Sequence, residues 1–314
     1  MSYSFWFIAR MLLPSAPGAA AIIIRTASRG GITVRKLRNW WKGARTDWLD
    51  YPLPEGMLWN KRYRIGKLLG TGGFGQTYAA CDIQRGKRVL LKFNRPSAGE
   101  KGRLLLRRES VILKELRHPQ IPGWQDYIQR GGREALVTEW IEGDSLAQQV
   151  DKGRAFTERE ALQVLLSLMR PLRYLHGIGY VHRNVRLTNV IQRDGHCYLV
   201  DFGLACRIGE QLHFDWRDEA AMEEGEQEAS PAGWDAVEHR LRKPYPSGDL
   251  YGAGHLMLFL LYTGYEPERP EDAGWERELK LSPPVREFVR RLLQDEEDMT
   301  ATDCEKELKR LLAR

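Results

Sequence analysis

The run Tyr180-Val-His-Arg-Asn-Val-Arg-Leu-Thr-Asn189, followed by Asp201-Phe-Gly203, constrains this chain more than any other stretch. Two polar clusters are separated by the short apolar segments Val190-Ile191 and Tyr198-Leu199-Val200. That pattern predicts a loop, two short strands joined by the turn Asp194-Gly195, and a second loop. Such a hairpin brings Asn189 and Asp201 to one rim, where an amide oxygen and a carboxylate suit a hard divalent cation.

The chain is long enough to bury a substantial core: 314 residues, 42% hydrophobic and 29% charged, fit one two-lobed domain plus an extension. Its four cysteines are scattered, which suits neither a zinc site nor a disulfide framework and points to a reducing compartment, the cytoplasm. The net charge of +6 becomes −2 without residues 1–46, which carry eight Lys/Arg and no Asp/Glu. The basic character therefore belongs to the tail, and no nucleic-acid partner is expected for the rest.

Within that tail, Phe5 to Ile24 is mostly apolar but is interrupted by Arg10, Pro14 and Pro17. No basic residue precedes it, which argues against a signal peptide; its length allows a spanning helix, which the charge and two prolines weaken and whose basic flank after Ile24 would keep the rest of the chain cytoplasmic. Val34, Leu37, Trp41, Ala44 and Trp48 then fall on one helical stripe, with Arg35, Lys36, Arg38, Lys42 and Arg45 on other faces. A basic helix carrying tryptophans suits an anionic membrane surface, so residues 5–49 are a candidate for membrane association. The same stripe would equally dock on the folded domain. Tyr51-Pro-Leu-Pro54 reads as a stiff linker, closing an extension over residues 1–60.

Beyond it, Tyr63 to Leu69 reads as a strand, Gly70-Thr-Gly72-Gly-Phe-Gly75 as a glycine-rich turn, and Gln76 to Cys81 as a second strand. A Gly-x-Gly-x-x-Gly that opened a helix would suggest a dinucleotide fold; between two strands it suits a hairpin laid over phosphates. Val89-Leu-Leu-Lys92 follows, then a helix over Leu104 to Leu116 that contains Glu109 and stops at His118-Pro119. Trp124–Arg130 and Glu134–Trp140, separated by Gly131-Gly132, form a hairpin, and Glu158 to His176 carries leucines at the spacing of a core helix.

In this order the segments resemble the protein kinase family, and Gly-Gly-Phe-Gly-Gln-Thr-Tyr in particular resembles bacterial serine/threonine kinases. The resemblance covers about residues 61–314. It implies an α+β, two-lobed protein-kinase fold, with a β-rich small lobe and hinge at 61–142 and a helical large lobe at 143–314. It also implies ATP and Mg2+ as cofactors and a protein as partner. On this resemblance Gly70, Thr71, Gly72, Gly73, Phe74 and Gly75 cover the phosphates, and Lys92, held by Glu109, neutralises the α- and β-phosphates. Thr77, Leu90 and Ile191 line the adenine pocket, Thr138 gates its rear, and the hinge Glu139-Trp-Ile141 faces the base. Asn189 and Asp201 hold the metal, Arg186 stands where the family commonly has a lysine near the γ-phosphate, and His182 and Phe202 pack in the interior.

Several positions depart from the family pattern. Asn184 replaces the catalytic aspartate, Leu90 the usual alanine and Thr77 the usual valine of the adenine roof. Pro231 stands where serine/threonine kinases place a threonine beside the catalytic aspartate. Ala236-Val-Glu238 resembles Ala-Pro-Glu, but Met299 occupies the place of the arginine that the glutamate usually meets, so Glu238 is expected to meet Arg290 or Arg291 or to sit nearer solvent. The segment 204–235 is acidic and contains one hydroxyl residue, Ser230; its carboxylates read as a disordered, solvated run, which is favoured, or as built-in partners for Arg183. Three readings follow: a serine/threonine kinase of reduced rate, which is favoured; a pseudokinase that signals through nucleotide binding; and a small-molecule phosphotransferase, against which Ala236-Val-Glu238 argues.

Overall fold

Alternating burial along the small-lobe strands decides which side chains reach the interlobe cleft. The computed structural model describes residues 50–72, 75–210, 234–265, 274–294 and 298–313. Strands β1 (Leu58–Trp59), β2 (Tyr63–Thr71), β3 (Gly75–Asp82) and β4 (Lys87–Asn94) are followed by helix α1 (Gly99–Glu115), then by β5 (Trp124–Arg130) and β6 (Arg133–Glu139). The strands form one antiparallel sheet in the order β1-β2-β3-β4-β6-β5. On β4 the side chains of Val89, Leu91 and Phe93 are fully buried against Trp59, Tyr63, Tyr78 and Val137. Each such side chain contributes about 1.5–3 kcal/mol on leaving water. The two-residue period then places Leu90 and Lys92 on the opposite face.

The chain divides into two compact units, Met1–Tyr51 and Pro52–Arg314. The first lies almost wholly outside the described residues, and with it both the apolar stretch 5–24 and the tryptophan stripe 34–48. Among the described residues no helix is long and apolar enough to cross a membrane. The sheet begins inside the extension expected over residues 1–60. Trp59 is buried edge-on to Phe93, with ring centroids 5.0 Å apart, and the Leu53 N–H donates to the Tyr78 hydroxyl at 2.9 Å. Helix α1 also starts before the expected Leu104, because Gly99 at φ 57° turns the chain out of the 3₁₀ turn Pro96–Ala98.

The large lobe opens with β7 (Asp144–Ser145), α2 (Leu146–Asp151) and α3 (Glu158–Gly177). A capping box starts α3: the Thr157 side chain accepts from the Glu160 N–H, and Glu160 accepts from the Thr157 N–H. Its leucine stripe, Leu165 to Leu175, is fully buried. Pro171 sits inside this helix and cannot donate to the carbonyl of Ser167 four residues back. Gln120 takes that role: its Nε2 donates to the Ser167 carbonyl at 3.3 Å and to the Cys197 carbonyl at 2.7 Å. The defect in α3 thereby becomes the seat of the hairpin that carries the site.

That hairpin follows β8 (Tyr180–Val181) and consists of β9 (Val190–Arg193) and β10 (His196–Leu199), with β7 added to the β9 edge. Asp194 and Gly195 both have positive φ, 51° and 75°, the turn that matches the twist of two antiparallel strands. Next come β11 (Cys206–Arg207), which pairs with β8, and helices α4 (Trp234–Leu241), α5 (Pro246–Tyr262), α6 (Trp275–Glu278), α7 (Pro283–Leu293) and α8 (Ala301–Leu312). All four cysteines are free.

Candidate active site

Lys92 lies between two carboxylates, the three side chains coming from three different parts of the chain. Its Nζ is 2.9 Å from Glu109 Oε2 and 2.5 Å from Asp201 Oδ1. Glu109 is the charged member of the buried face of α1, beside Leu105, Leu106, Ile112 and Leu113. Its second oxygen, Oε1, accepts from the Phe202 N–H at 3.2 Å. Asp201 adopts φ 64°, and its Oδ1 also lies 3.4 Å from the Gly203 N–H. A Cβ on Gly203 would meet Asp201, Glu109 and Lys92 at 3.4–3.5 Å, so the backbone passes against the triad.

The electrostatics are those of one cation shared by two anions. Burial pulls the Lys92 ammonium toward its neutral form, but Asp201 and then Glu109 outweigh it, and its pKa lies above the ordinary lysine value. Burial likewise opposes ionisation of Asp201, and Lys92 overcomes it, holding this carboxyl below its ordinary range. For Glu109 burial wins over Lys92, and its pKa is raised.

The hairpin brings the two expected metal ligands to one end. Leu199 pairs with Val190, and the Val200 N–H donates to the Asn189 carbonyl at 3.0 Å, so Asp201 leaves the strand beside Asn189. The Asn189 side chain is oriented by its Nδ2, which donates to the Asn184 carbonyl at 3.0 Å; its Oδ1 accepts from the Thr188 hydroxyl at 3.2 Å. Among the described residues Asp201 Oδ2 has no protein partner. The donor set, one carboxylate and one amide oxygen, fits a hard cation that keeps water and phosphate oxygens as its other ligands.

Asp249, buried in the first turn of α5, holds the loop before Asn189 by its backbone. Oδ1 accepts from the Arg183 N–H at 2.7 Å, and Oδ2 accepts from the His182 N–H at 2.8 Å and contacts His176 Nε2 at 3.0 Å. Arg183 has φ 62°, which turns its side chain back toward the carbonyls of Arg242 and Leu204, at 2.6 and 3.3 Å. The carboxylates that the sequence offers as its partners, between 215 and 228, lie outside the described residues. His182 is fully buried; burial lowers its pKa, so the ring is neutral and donates from Nε2 to the Val200 carbonyl at 3.1 Å. It stands edge-on to Phe202 at 4.8 Å.

Asn184 occupies the next position, with its side-chain Oδ1 buried and without a hydrogen-bond donor among the described residues. An orphaned acceptor of this kind costs stability unless a ligand satisfies it. Two residues on, Arg186 corrects the expectation for Glu238. Glu238 meets neither Arg290, which pairs with Glu276 at 2.8 Å, nor Arg291. Its carboxylate bridges Arg186 Nη2 at 3.3 Å and Arg242 Nε at 3.2 Å. The reason is geometric: α4 lays Glu238 against the catalytic loop, and Arg242 follows one helical turn later. Sequence spacing exposes the Glu238–Arg242 pair but not Arg186.

The cleft face is built from the remaining expected residues. Gly70 pairs with Thr77, and the Gly72 N–H donates to the Gly75 carbonyl at 2.9 Å, closing the hairpin between β2 and β3. Thr71 pairs with Gln76; Gly73 and Phe74 lie outside the described residues. A Cβ on Gly75 would stand 3.0 Å from the Phe93 carbonyl and 3.3 Å from Lys92 Cε, so a side chain there would displace the lysine. Leu90 pairs with Ala79 and Thr138, and Thr77 with Lys92. At the crossing between lobes, the Glu139 N–H is taken by the Gly123 carbonyl at 2.8 Å. Two residues later the Ile141 N–H has no partner among the described residues, although its side chain is buried. Ile191, on β9 opposite Tyr198, is half-buried.

Comparison with known proteins agrees with this geometry. Residues 63–313 match the protein kinase domain. The chain is 32% identical over 256 residues to a probable serine/threonine-protein kinase of Bacillus subtilis, covering 81% of this chain and 90% of that protein. It is 29% identical over 252 residues to serine/threonine-protein kinase B of Synechocystis, and 33% identical over 223 residues to serine/threonine-protein kinase C of the same organism. Those matches cover 75% and 67% of this chain but 43% and 41% of the relatives, so the chain spans less than half the length of these two. With the two-lobed α+β architecture and the Lys92–Glu109 pair, these matches place the chain in the protein kinase family.

Proposed function

We propose that this chain is a serine/threonine protein kinase that binds ATP with magnesium in the interlobe cleft and transfers the γ-phosphoryl group to protein hydroxyls at a reduced rate. The observation that carries the reading is the line Glu109–Lys92–Asp201, which puts one fixed cation beside the carboxylate on the metal rim. The serine/threonine class is taken from the names of its relatives.

Each residue has a part in that reading. The unpartnered Ile141 N–H suits the adenine ring, and the Gly70–Gly75 backbone lies over the phosphates. Lys92 releases part of its hold on Asp201 to meet the α- and β-phosphates, while Glu109 keeps it oriented. Asn189 and Asp201 would hold magnesium, which supplies charge neutralisation on the phosphate oxygens. Arg186 reaches toward the γ-phosphate. The Asn184 Oδ1, buried without a donor among the described residues, accepts the hydrogen bond of the substrate hydroxyl and orients it.

Asn184 cannot take the proton. Loss of a positioned base costs roughly 10²–10⁴-fold in rate, or about 3–5 kcal/mol of barrier. The same residue favours a second reading, a nucleotide-responsive pseudokinase. The Val34–Trp48 stripe keeps its two sequence readings, a membrane surface or a face docked on the folded unit.

Radiolabelled γ-phosphate transfer to the chain itself and to a basic protein separates these readings. Incorporation by the natural chain that vanishes in Lys92→Ala supports the kinase. Silence from the natural chain, with activity gained in Asn184→Asp, replaces it by the pseudokinase.

A further inference from the structure

Helix α1 is fastened to the segment after Asp201 at two points that flank Glu109. Arg108 Nη2 lies 2.6 Å from Glu210 Oε2, and Arg108 Nε donates to the Ala205 carbonyl at 3.3 Å. Toward the end of the helix, Glu115 Oε2 accepts from the Tyr180 hydroxyl at 2.6 Å and stands 3.5 Å from Arg207 Nη2. Between them Glu109 bridges Lys92 and the Phe202 N–H.

The far end of these contacts is anchored on the large lobe. Strand β11 pairs with β8, the Ile208 N–H donates to the Gly179 carbonyl at 2.9 Å, and the Gly209 N–H donates to the Pro244 carbonyl at 2.8 Å. Glu210 Oε2 also accepts from the Arg207 N–H at 3.0 Å, which fixes the carboxylate in a tight turn. The side chains of Arg108 and Glu210 are 24% and 35% exposed, so the pair is partly desolvated. Arg108 is next in sequence to Glu109; whatever moves Arg108 moves the carboxylate that orients Lys92.

Resting on the phosphotransferase reading, we infer that Glu210 is a built-in anion: through Arg108 it holds α1 where Glu109 meets Lys92, so the nucleotide site assembles without phosphorylation of the segment after Asp201. Arg108 and Glu210 are positioning residues, since neither reaches the nucleotide or the reacting atoms. The sequence agrees: across 204–235 the chain offers one hydroxyl, Ser230, but carries a permanent carboxylate where the helix arginine arrives. A phosphoryl group would supply the same kind of charge-assisted acceptor.

The test compares the full natural chain with Glu210→Gln, Arg108→Gln and the exchanged pair Arg108→Glu/Glu210→Arg. Amide hydrogen exchange along α1 without nucleotide, and the dissociation constant of magnesium–ATP, are read for each. Either single variant speeds exchange over 104–115 and weakens ATP binding by about 3- to 10-fold, as expected for a partly buried pair acting at one remove. In turnover the loss falls on KM for ATP more than on kcat, because Lys92 grips the phosphates in ground and transition states alike. The exchanged pair recovers most of both readings, which a purely structural role of either residue would not give. Phosphatase treatment of the natural chain leaves its ATP affinity unchanged. Single variants with natural exchange and natural ATP affinity overturn the inference. So does a phosphatase-treated natural chain that loses as much affinity as Glu210→Gln. A natural chain that binds ATP but transfers nothing overturns the kinase reading alone, since exchange and binding still decide the role of Glu210.

Discussion

Arg186 Nη2 lies 3.3 Å from Glu238 Oε1, which ties the catalytic loop to the helix that ends the segment after Asp201. The family's usual arrangement, as the sequence suggests it, sends this glutamate to an arginine near the C-terminus. Here Met299 fills that place and is buried, and Glu238 turns to Arg186 and Arg242 instead. On the proposed reading, Arg186, 36% exposed, is held from behind where it would meet the γ-phosphate. Glu238→Gln should lower kcat by about 10-fold with little change in KM for ATP, less than the 10²–10³-fold of deleting an oriented donor outright. Steady-state kinetics would check this; an unchanged kcat would mean that Arg186 needs no such support.

Leu90 offers a prediction at the other end of the nucleotide. Its side chain is only half-buried on the cleft face of β4, between Ala79 and Thr138, where the small residue usual in the family would leave more room for a base. Leu90→Ala should tighten ATP binding by about 3- to 10-fold, since relief of crowding in a packed pocket is worth about 1 kcal/mol. Calorimetric titration of the variant with magnesium–ATP measures this. Weaker binding would show that Leu90 packs on the adenine and does not crowd it.

Much of the candidate site's local structure is legible in the sequence, and the reason is local. The Lys92 face of β4, the Glu109 face of α1 and the Asp194-Gly195 turn each follow from periodicity or turn chemistry within a few residues. Contacts between distant segments were not readable from periodicity. Nothing in the spacing joins Glu238 to Arg186 or Glu210 to Arg108, because many arginines stand within sequence reach of each carboxylate. Gln120 accepting the task of Pro171's missing donor is of the same kind. The edge strand Leu58–Trp59 was hidden by its length: two residues show no alternation, and only the burial of Trp59 reveals that the sheet has begun.

Three histidines predict how the fold responds to acid. Burial lowers the pKa of His118, His182 and His255, and for His182 it outweighs the opposing pull of Asp249 and Asp201. Each folded pKa lies below the unfolded value near 6.5. The unfolded chain therefore binds more protons below that pH, and the stability these rings contribute is present above it and is lost as pH falls through the folded values. Thermal unfolding followed from pH 7.5 down to 5.5 should show a falling midpoint, over a range chosen to bracket the ordinary histidine pKa of about 6.5. His182→Gln, which keeps a donor for the Val200 carbonyl, should flatten that fall. A slope that steepens in this variant would assign the acid sensitivity elsewhere.

Asp249 and Gly252 act on the catalytic loop from one helix, by opposite means. Asp249 pulls on it, accepting from the His182 and Arg183 N–H groups while it contacts His176. Gly252, less than one turn on, lets the helix approach: a Cβ there would stand 2.9 Å from the Val185 carbonyl and 3.0 Å from Val185 Cβ. Asp249→Asn turns one end of a double acceptor into a donor facing other donors, a loss of about 3 kcal/mol. For a domain of this size that lowers the unfolding midpoint by about 6–12 °C. Gly252→Ala instead overpacks the contact, at about 1–3 kcal/mol, and pushes Val185, which neighbours both Asn184 and Arg186. Both variants should keep most of their magnesium–ATP binding, since on the proposed reading Lys92, Glu109 and Asp201 lie outside the displaced loop and only Asn189, oriented by the Asn184 carbonyl, lies within it, and both should lose phosphoryl transfer. Binding and transfer measured side by side on each variant test this. Loss of ATP binding in Gly252→Ala, with its unfolding midpoint intact, would show that the loop and the metal rim move as one piece.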